Sequence, residues 1–222
     1  MLKDKLARAW YKLVCFTCRI LCRILFRLKV EGRENIPAKG PFVVAANHQS
    51  FLDPVFCSIH LKRRLTFLAR DTLFTHWFFG RLIRSLNAIP VKLGHGDIAT
   101  MKEIIARLKQ GHGVCLFPEG TRCRDGKIAT IKPGFGLLCR RGSATVIPTV
   151  IDGAFECWPR TQKMFKKGPV SITYGQPIPA EQVRKMKNEE LADMLNAQMQ
   201  QMQSDIRRKK DKDPFDYSRR DA

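Results

Sequence analysis

The sequence predicts an α/β domain, a mixed, largely parallel sheet flanked by helices, preceded by an amphipathic helix suited to a membrane surface. Three observations lead there. Short β-leaning runs alternate with helical patterns through the middle of the chain, as they do where a parallel sheet is assembled from strand–helix units. The first 30 residues carry eight basic groups (Lys3, Lys5, Arg8, Lys12, Arg19, Arg23, Arg27 and Lys29) against one acid, Asp4, in an otherwise apolar helical pattern. The 222 residues, 44% hydrophobic and 27% charged, suffice for a full core in one main domain and suggest neither a fibre nor a disordered chain.

Residues 1–29 form the first segment. At about 100° per residue, Lys5, Arg8, Lys12, Arg19, Arg23 and Arg27 share about 100° of arc. Leu13, Val14, Phe16, Ile20, Leu21, Ile24, Leu25 and Leu28 occupy much of the rest. A spanning helix needs about 20 mostly apolar residues, whereas the longest charge-free stretch here runs from Leu13 to Cys18. A secretory signal fails for the same reason, and no small-residue cleavage site follows. The pattern fits an interfacial helix at a bilayer, or one packed on the domain or on a partner protein. Trp10 and Tyr11 suit a headgroup-level anchor.

Residues 30–180 form the main domain. Its β-leaning runs are Phe42 to Ala46, Arg64 to Ala69, Ala88 to Leu93, Val114 to Phe117, Ala144 to Ile151 and Val170 to Tyr174. Helical patterns fall at Pro54 to His60, Thr72 to Leu86, Asp97 to Gln110 and Phe135 to Arg141. The aromatic cluster Phe74, Trp77, Phe78 and Phe79 fits a core position and a second membrane-dipping surface equally well. Residues 181–222 read as a polar, Gln- and Met-rich helix on the surface, running into Arg207, Arg208, Lys209 and Lys210 and a frayed, charged end.

The formal net charge of +20, from 40 Lys and Arg against 20 Asp and Glu, calls for a polyanion. Nucleic acid, an anionic bilayer and a phosphorylated substrate all qualify. No basic–aromatic recognition motif of a known kind is present, so no nucleic-acid partner is expected. The eight cysteines lie without regular spacing, several inside apolar runs, and read as reduced thiols of a cytosolic compartment. Cys15, Cys18 and Cys22 have helical spacing but no matching Cys/His pair, so packing is expected rather than a metal site.

Two motifs carry chemistry, each directly after an apolar run. The first is Asn47-His48-Gln49-Ser50-Phe51-Leu52-Asp53, placed at the C-terminal edge of a strand, where α/β sheets bind ligands. A turn there would fold Asp53 back onto His48, fixing the imidazole tautomer and leaving the other ring nitrogen to accept a proton from a hydroxyl. The same letters also spell a helix start, with Ser50 and Asp53 as a capping box. The second motif is Phe117-Pro118-Glu119-Gly120-Thr121-Arg122, in which Gly120 allows a tight turn and Arg122 offers a planar fork for phosphate oxygens. Alternatively, Glu119 and Arg122 pair with each other and hold the loop. No Ser or Cys nucleophile beside His48 is evident, which points to direct transfer from an already activated acyl group.

The two blocks, together with Val146-Ile147-Pro148-Thr149-Val150, match in order and spacing, and from about Val30 to Pro179 the chain resembles the 1-acylglycerol-3-phosphate acyltransferase family. The resemblance implies a catalytic pair, His48 and Asp53, acting on the acceptor hydroxyl, with Glu119, Gly120, Thr121 and Arg122 shaping the acceptor site. It implies lysophosphatidic acid as acceptor, acyl-CoA or acyl-carrier protein as donor, and no cofactor. An anionic membrane surface is the expected partner, with the enzyme peripheral or monotopic on the cytoplasmic face. One departure concerns the third β-type run, Ala88-Ile89-Pro90-Val91-Lys92-Leu93, where Leu93 stands at a position that is often arginine in the family. Lys92 is the substitute expected to bind the acceptor. A second is Cys123, where the family usually has serine after the arginine.

Overall fold

The structure, a computed structural model, describes residues 2–91 and 98–218, with side chains from residue 5 onward. Lys92 and Leu93 lie outside the described residues. In chain order the elements are helix α1 (Leu2–Phe26), strands β1 (Lys29–Glu31) and β2 (Phe42–Ala46), and the short helix α2 (Asp53–Phe56). Strand β3 (Leu65–Arg70) leads through a 3-10 turn at Asp71–Phe74 into α3 (Trp77–Ser85), followed by β4 (Ala88–Val91) and α4 (Ile98–Lys109). Next come β5 (Gly113–Leu116), α5 (Gly134–Arg141), β6 (Thr145–Asp152), the short α6 (Ala154–Cys157) and β7 (Ser171–Tyr174). Helices α7 (Ala180–Lys185) and α8 (Asn188–Arg208) complete the order.

Among the described residues the strands form one seven-stranded sheet in the order β1-β7-β6-β2-β5-β3-β4. Every pairing is parallel except β6 with β7, so the expected mixed, largely parallel α/β sheet is present. Central strand β2 reads as a continuous apolar run because both of its faces are covered. Val43 and Ala45 face a core with Ile104 and Leu108 of α4, Phe135 of α5, and Leu191, Leu195 and Met199 of α8. Phe42, Val44 and Ala46, alternating with them, face Cys22 and Phe26 of α1, Phe56 of α2, and Tyr174 of β7. This register brings the C-terminal ends of β2, β5 and β6 together on one edge.

Helix α1 has three faces. Tyr11, Cys15, Cys22 and Phe26 are buried against the domain, while Leu6, Trp10, Leu13, Phe16, Ile20, Leu21 and Ile24 are exposed. The basic arc lies between. Tyr11 is therefore not a headgroup anchor: it sits under the Arg64 guanidinium, 4.2 Å from its ring centroid. Trp10 remains part-exposed and donates its indole N–H to Ser85 Oγ at the end of α3, 3.0 Å away. Among the described residues no helix is long and apolar enough to cross a membrane.

Two other segments differ from expectation. The aromatic cluster divides, with Phe74 under the Arg84 guanidinium at 5.0 Å and Trp77 and Phe78 turned to solvent. Helix α8 is no solvated surface helix, because its spaced apolar residues Leu191, Leu195, Met199 and Ile206 all enter the core. Its basic end is also tied down: Lys210 Nζ donates to Asp152 Oδ2 at 2.8 Å and to Ser171 Oγ at 2.7 Å. Beyond it, the Tyr217 hydroxyl accepts from the Ile128 N–H at 3.1 Å and donates to Gln203 Oε1.

Candidate active site

The chain leaves β2 at Ala46 and loops through His48 to Leu52 before α2 begins at Asp53. That loop turns Asp53 back, so that its Oδ2 lies 2.7 Å from His48 Nδ1. The same oxygen accepts the backbone N–H groups of Gln49 at 2.6 Å and Ser50 at 2.7 Å. The Ser50 bond closes the loop and is not part of a capping box, because α2 begins at Asp53 itself, with Leu52 at the N-cap position and no side chain capping the helix. Asp53 is fully buried. Since a carboxylate only accepts, Nδ1 carries the shared proton, and in the neutral imidazole Nε2 is the nitrogen with a lone pair.

Flanking polar residues hold this loop in place. Asn47 continues the β2–β6 ladder with its side chain, donating to the Ile151 carbonyl at 2.9 Å and accepting from the Ile151 N–H at 2.7 Å. Gln49 donates to the Gly126 carbonyl at 2.7 Å and accepts from the N–H of Ala154 at 3.2 Å, where α6 begins. The imidazole itself stacks on Phe117, with centroids 4.0 Å apart and 16° between the planes.

The second motif follows β5 and meets the first. Glu119 does not pair with Arg122. Its Oε1 accepts the His48 N–H at 2.8 Å and its Oε2 the Ala129 N–H at 3.1 Å, joining the two loops. Burial pushes the Glu119 carboxyl up to about 8; those two N–H bonds pull the other way, and Asp53 and Asp125 add to the rise. Gly120, at φ +75, closes the turn, and a Cβ there would lie 2.8 Å from Lys132 Nζ. Gly120 and Thr121 are exposed.

Arg122 lies flat on Phe51, its guanidinium carbon 3.6 Å from the ring centroid. Its Nη1 is buried and has no hydrogen-bond partner. Burial lowers its pKa, helped by the positive charges of Arg160 and Arg70. A guanidinium held on an aromatic face with an unpartnered N–H group is a place for an anion. Phe51 also lines an apolar cavity of about 200 Å³ between α1, α2, β3 and α3, with Tyr11, Cys15, Val55, Phe79 and Ile83 among its walls. The Arg122 guanidinium and the apolar cavity thus meet at Phe51, which lies in the same loop as His48 and two residues before Asp53.

The sequence profile of the Acyltransferase family matches residues 27–152, more than half of the chain and the whole span from β1 to β6. The chain belongs to the acyltransferase family. This acyltransferase is similar to the 1-acyl-sn-glycerol-3-phosphate acyltransferase of Bacillus subtilis, with 26% identity over 169 residues covering 76% of this chain and 82% of that one. The enzyme of that name from Pseudomonas aeruginosa is 28% identical over 78% of this chain and 66% of its own. A chloroplastic one from Arabidopsis thaliana is 27% identical over 69% of this chain, which spans only 44% of the plant protein. Among solved structures, the 1-acyl-sn-glycerophosphate (LPA) acyltransferase PlsC from Thermotoga maritima superposes with a TM-score of 0.79 and 25% identity, covering 92% of this chain and 83% of that one.

Of the residues singled out in the acyltransferase sequence, His48, Asp53, Glu119 and Arg122 converge on one edge of the sheet, and Gly120 and Thr121 border them. Phe51, Phe117, Asn47 and Gln49 complete the site and were not singled out. All four lie within or beside the two motifs, and Asn47 and Gln49 carried a signal as polar residues at the end of a fully apolar strand. Arg70 and Arg160 have no local signature; only the fold brings them near Arg122. Cys123 offers no nucleophile, because burial pushes its thiol up to about 12. Among the described residues no group of three or more His, Cys, Asp or Glu is placed to hold a metal ion.

Proposed function

We propose that the enzyme transfers a fatty acyl group from an acyl thioester, acyl-CoA or acyl-carrier protein, to the free hydroxyl of 1-acylglycerol 3-phosphate, giving phosphatidic acid. The observation that carries this reading is the His48–Asp53 contact of 2.7 Å beside an Arg122 fork with an unpartnered, buried Nη1. The names of the similar proteins agree with the acceptor. Arg122 takes the acceptor phosphate, Glu119 positions the His48 backbone, and Gly120 and Thr121 form the rim. Lys92 is assigned to the same anion on the family resemblance alone.

In the reaction, His48 Nε2 accepts the hydroxyl proton as the alcohol oxygen bonds to the thioester carbonyl carbon. Asp53 stabilises the imidazolium that forms. Collapse of the tetrahedral intermediate breaks the C–S bond, and the proton passes from His48 to the departing thiolate. No cofactor is required, since the thioester supplies the activation. The apolar cavity beside Phe51 suits a lipid chain, and the exposed apolar and basic faces of α1 support a peripheral or monotopic position on the cytoplasmic face of an anionic membrane. Nucleic acid has no role in this reading.

Purified enzyme given acyl-CoA or acyl-carrier protein with lysophosphatidic acid should release free thiol and form phosphatidic acid in equal amounts, followed by mass spectrometry. No product with any lysolipid, from folded protein, refutes the proposal. Leu93 favours one second reading, the same chemistry on another acceptor such as glycerol 3-phosphate, another lysophospholipid or a lipoamino acid. A parallel acceptor screen separates the two.

A further inference from the structure

Positive charge also gathers away from the active site. Helix α1 and the Leu61–Arg64 segment before β3 enclose an open cleft of about 690 Å³. Arg8, Lys12, Arg19, Lys62 and Arg64 line it, and no acidic side chain does. Two of these cations are anchored. Arg64 donates to the Ala7 carbonyl at 3.0 Å while lying on Tyr11, and Arg19 donates to the Ile59 carbonyl. Arg8, Lys12 and Lys62 are exposed, and their side chains make no hydrogen bond or ion pair among the described residues. Five like charges around one opening repel each other unless an anion enters.

The cleft is not the acceptor site. It lies at the N-terminal end of β3, whose six residues put about 17 Å between it and the edge bearing His48 and Arg122, and it shares the walls Tyr11 and Cys15 with the apolar cavity that reaches Phe51. What adjoins it is the exposed stripe of α1: Phe16 stands at the rim, 59% exposed, and leads to Leu13, Ile20 and Ile24. An amphiphile with its phosphate in the cleft and its chains along this stripe satisfies both surfaces at once. A soluble phosphate would satisfy only one.

We propose that this cleft binds the phosphate headgroup of an anionic bilayer phospholipid, a second, non-reacting lipid that seats the enzyme on the membrane. The inference rests on the membrane-surface part of the proposed function and not on its acyl-transfer chemistry.

The test is sedimentation of the full chain with phosphatidylcholine vesicles, with and without phosphatidylglycerol. It compares the wild type, Lys12→Ala/Lys62→Ala, and a control pair, Arg184→Ala/Lys185→Ala, that removes the same charge from α7. At about 1 kcal/mol for each basic residue at the surface, the cleft pair should bind anionic vesicles about 30-fold more weakly, and the control pair should stay near wild type. Lys62→Glu alone should move in the same direction, and melting curves show that each variant is folded. Equal losses in both pairs would mean diffuse attraction and overturn the site. Competition by inorganic pyrophosphate as strong as that by short-chain phosphatidylglycerol would overturn the lipid assignment. A raised KM for acyl-CoA with unchanged vesicle binding would make the cleft a donor site and overturn it too. Vesicle binding needs no turnover, so an enzyme inactive on lysolipids can still bear out the seat.

Discussion

Asp53→Asn changes the charge of the His48–Asp53 pair and little of its shape. Asp53 is fully buried, and its Oδ2 accepts from His48 Nδ1 at 2.7 Å, Gln49 N at 2.6 Å and Ser50 N at 2.7 Å, while Oδ1 has no partner. An asparagine with its oxygen at the Oδ2 position keeps all three donors and leaves its amide N–H group where Oδ1 was, buried without an acceptor. That costs about 1–3 kcal/mol of stability, or a drop in Tm of about 2–4 °C per kcal/mol. The larger effect is on the imidazolium. A carboxylate about 4 Å from the centre of positive charge contributes about 4 kcal/mol at an effective dielectric constant near 20, which is about 1000-fold in kcat. The assay is thiol release at saturating lysophosphatidic acid, with circular dichroism to confirm the fold. A folded variant within tenfold of wild type would refute the assigned role of Asp53.

Arg122→Ala removes the fork but neither His48 nor Asp53. At about 1.5–3 kcal/mol for a charged hydrogen bond, kcat/KM should fall about 10- to 150-fold for a phosphate-bearing acceptor and stay level for one without phosphate; equal losses would remove Arg122 from phosphate binding. Glu119 gives a pH signature. Because burial raises its carboxyl from 4.5 to about 8, the native state holds a proton that the unfolded chain releases in that interval. This contribution is full below pH 4.5 and is lost as pH rises through about 8. Thermal melts should therefore show a decline in stability that is weaker in Glu119→Gln, and identical pH slopes would contradict the shift. Tyr217→Phe leaves the Ile128 N–H and Gln203 Oε1 without their partner. It should cost about 1–3 kcal/mol in a melting experiment, whereas an unchanged Tm would mean the C-terminal segment does not brace the Glu119 loop.

The elements easiest to read in the sequence were those with both faces buried. Strand β2 spans the expected Phe42–Ala46, and β5, β6 and β7 lie within a residue or so of their apolar runs, because near-continuous burial leaves a continuous apolar signal; β3, buried only in its first half, also lies within a residue of its run. Strand β1 was not read. It has three residues at the sheet edge, two of them charged and exposed, and it follows the basic helix with no break in composition. Helix α8 misled through its average polarity: a narrow stripe of Leu191, Ala192, Leu195, Met199 and Ile206, flanked by Met194 and Met202, is enough to join the core. At the site, His48, Asp53, Glu119 and Arg122 were legible because short-range spacing fixes two loops at adjacent strand ends. The ring under His48, the ring under Arg122 and the approach of Arg70 and Arg160 depend on how those loops meet, which no local pattern encodes.

The decisive measurement is the rate of thiol release from acyl-CoA with lysophosphatidic acid for wild type and His48→Ala, both shown to be folded. If the imidazole takes the hydroxyl proton, the variant should be slower by about 100-fold or more. A His48→Ala enzyme that forms phosphatidic acid at the wild-type rate would contradict general-base catalysis by His48.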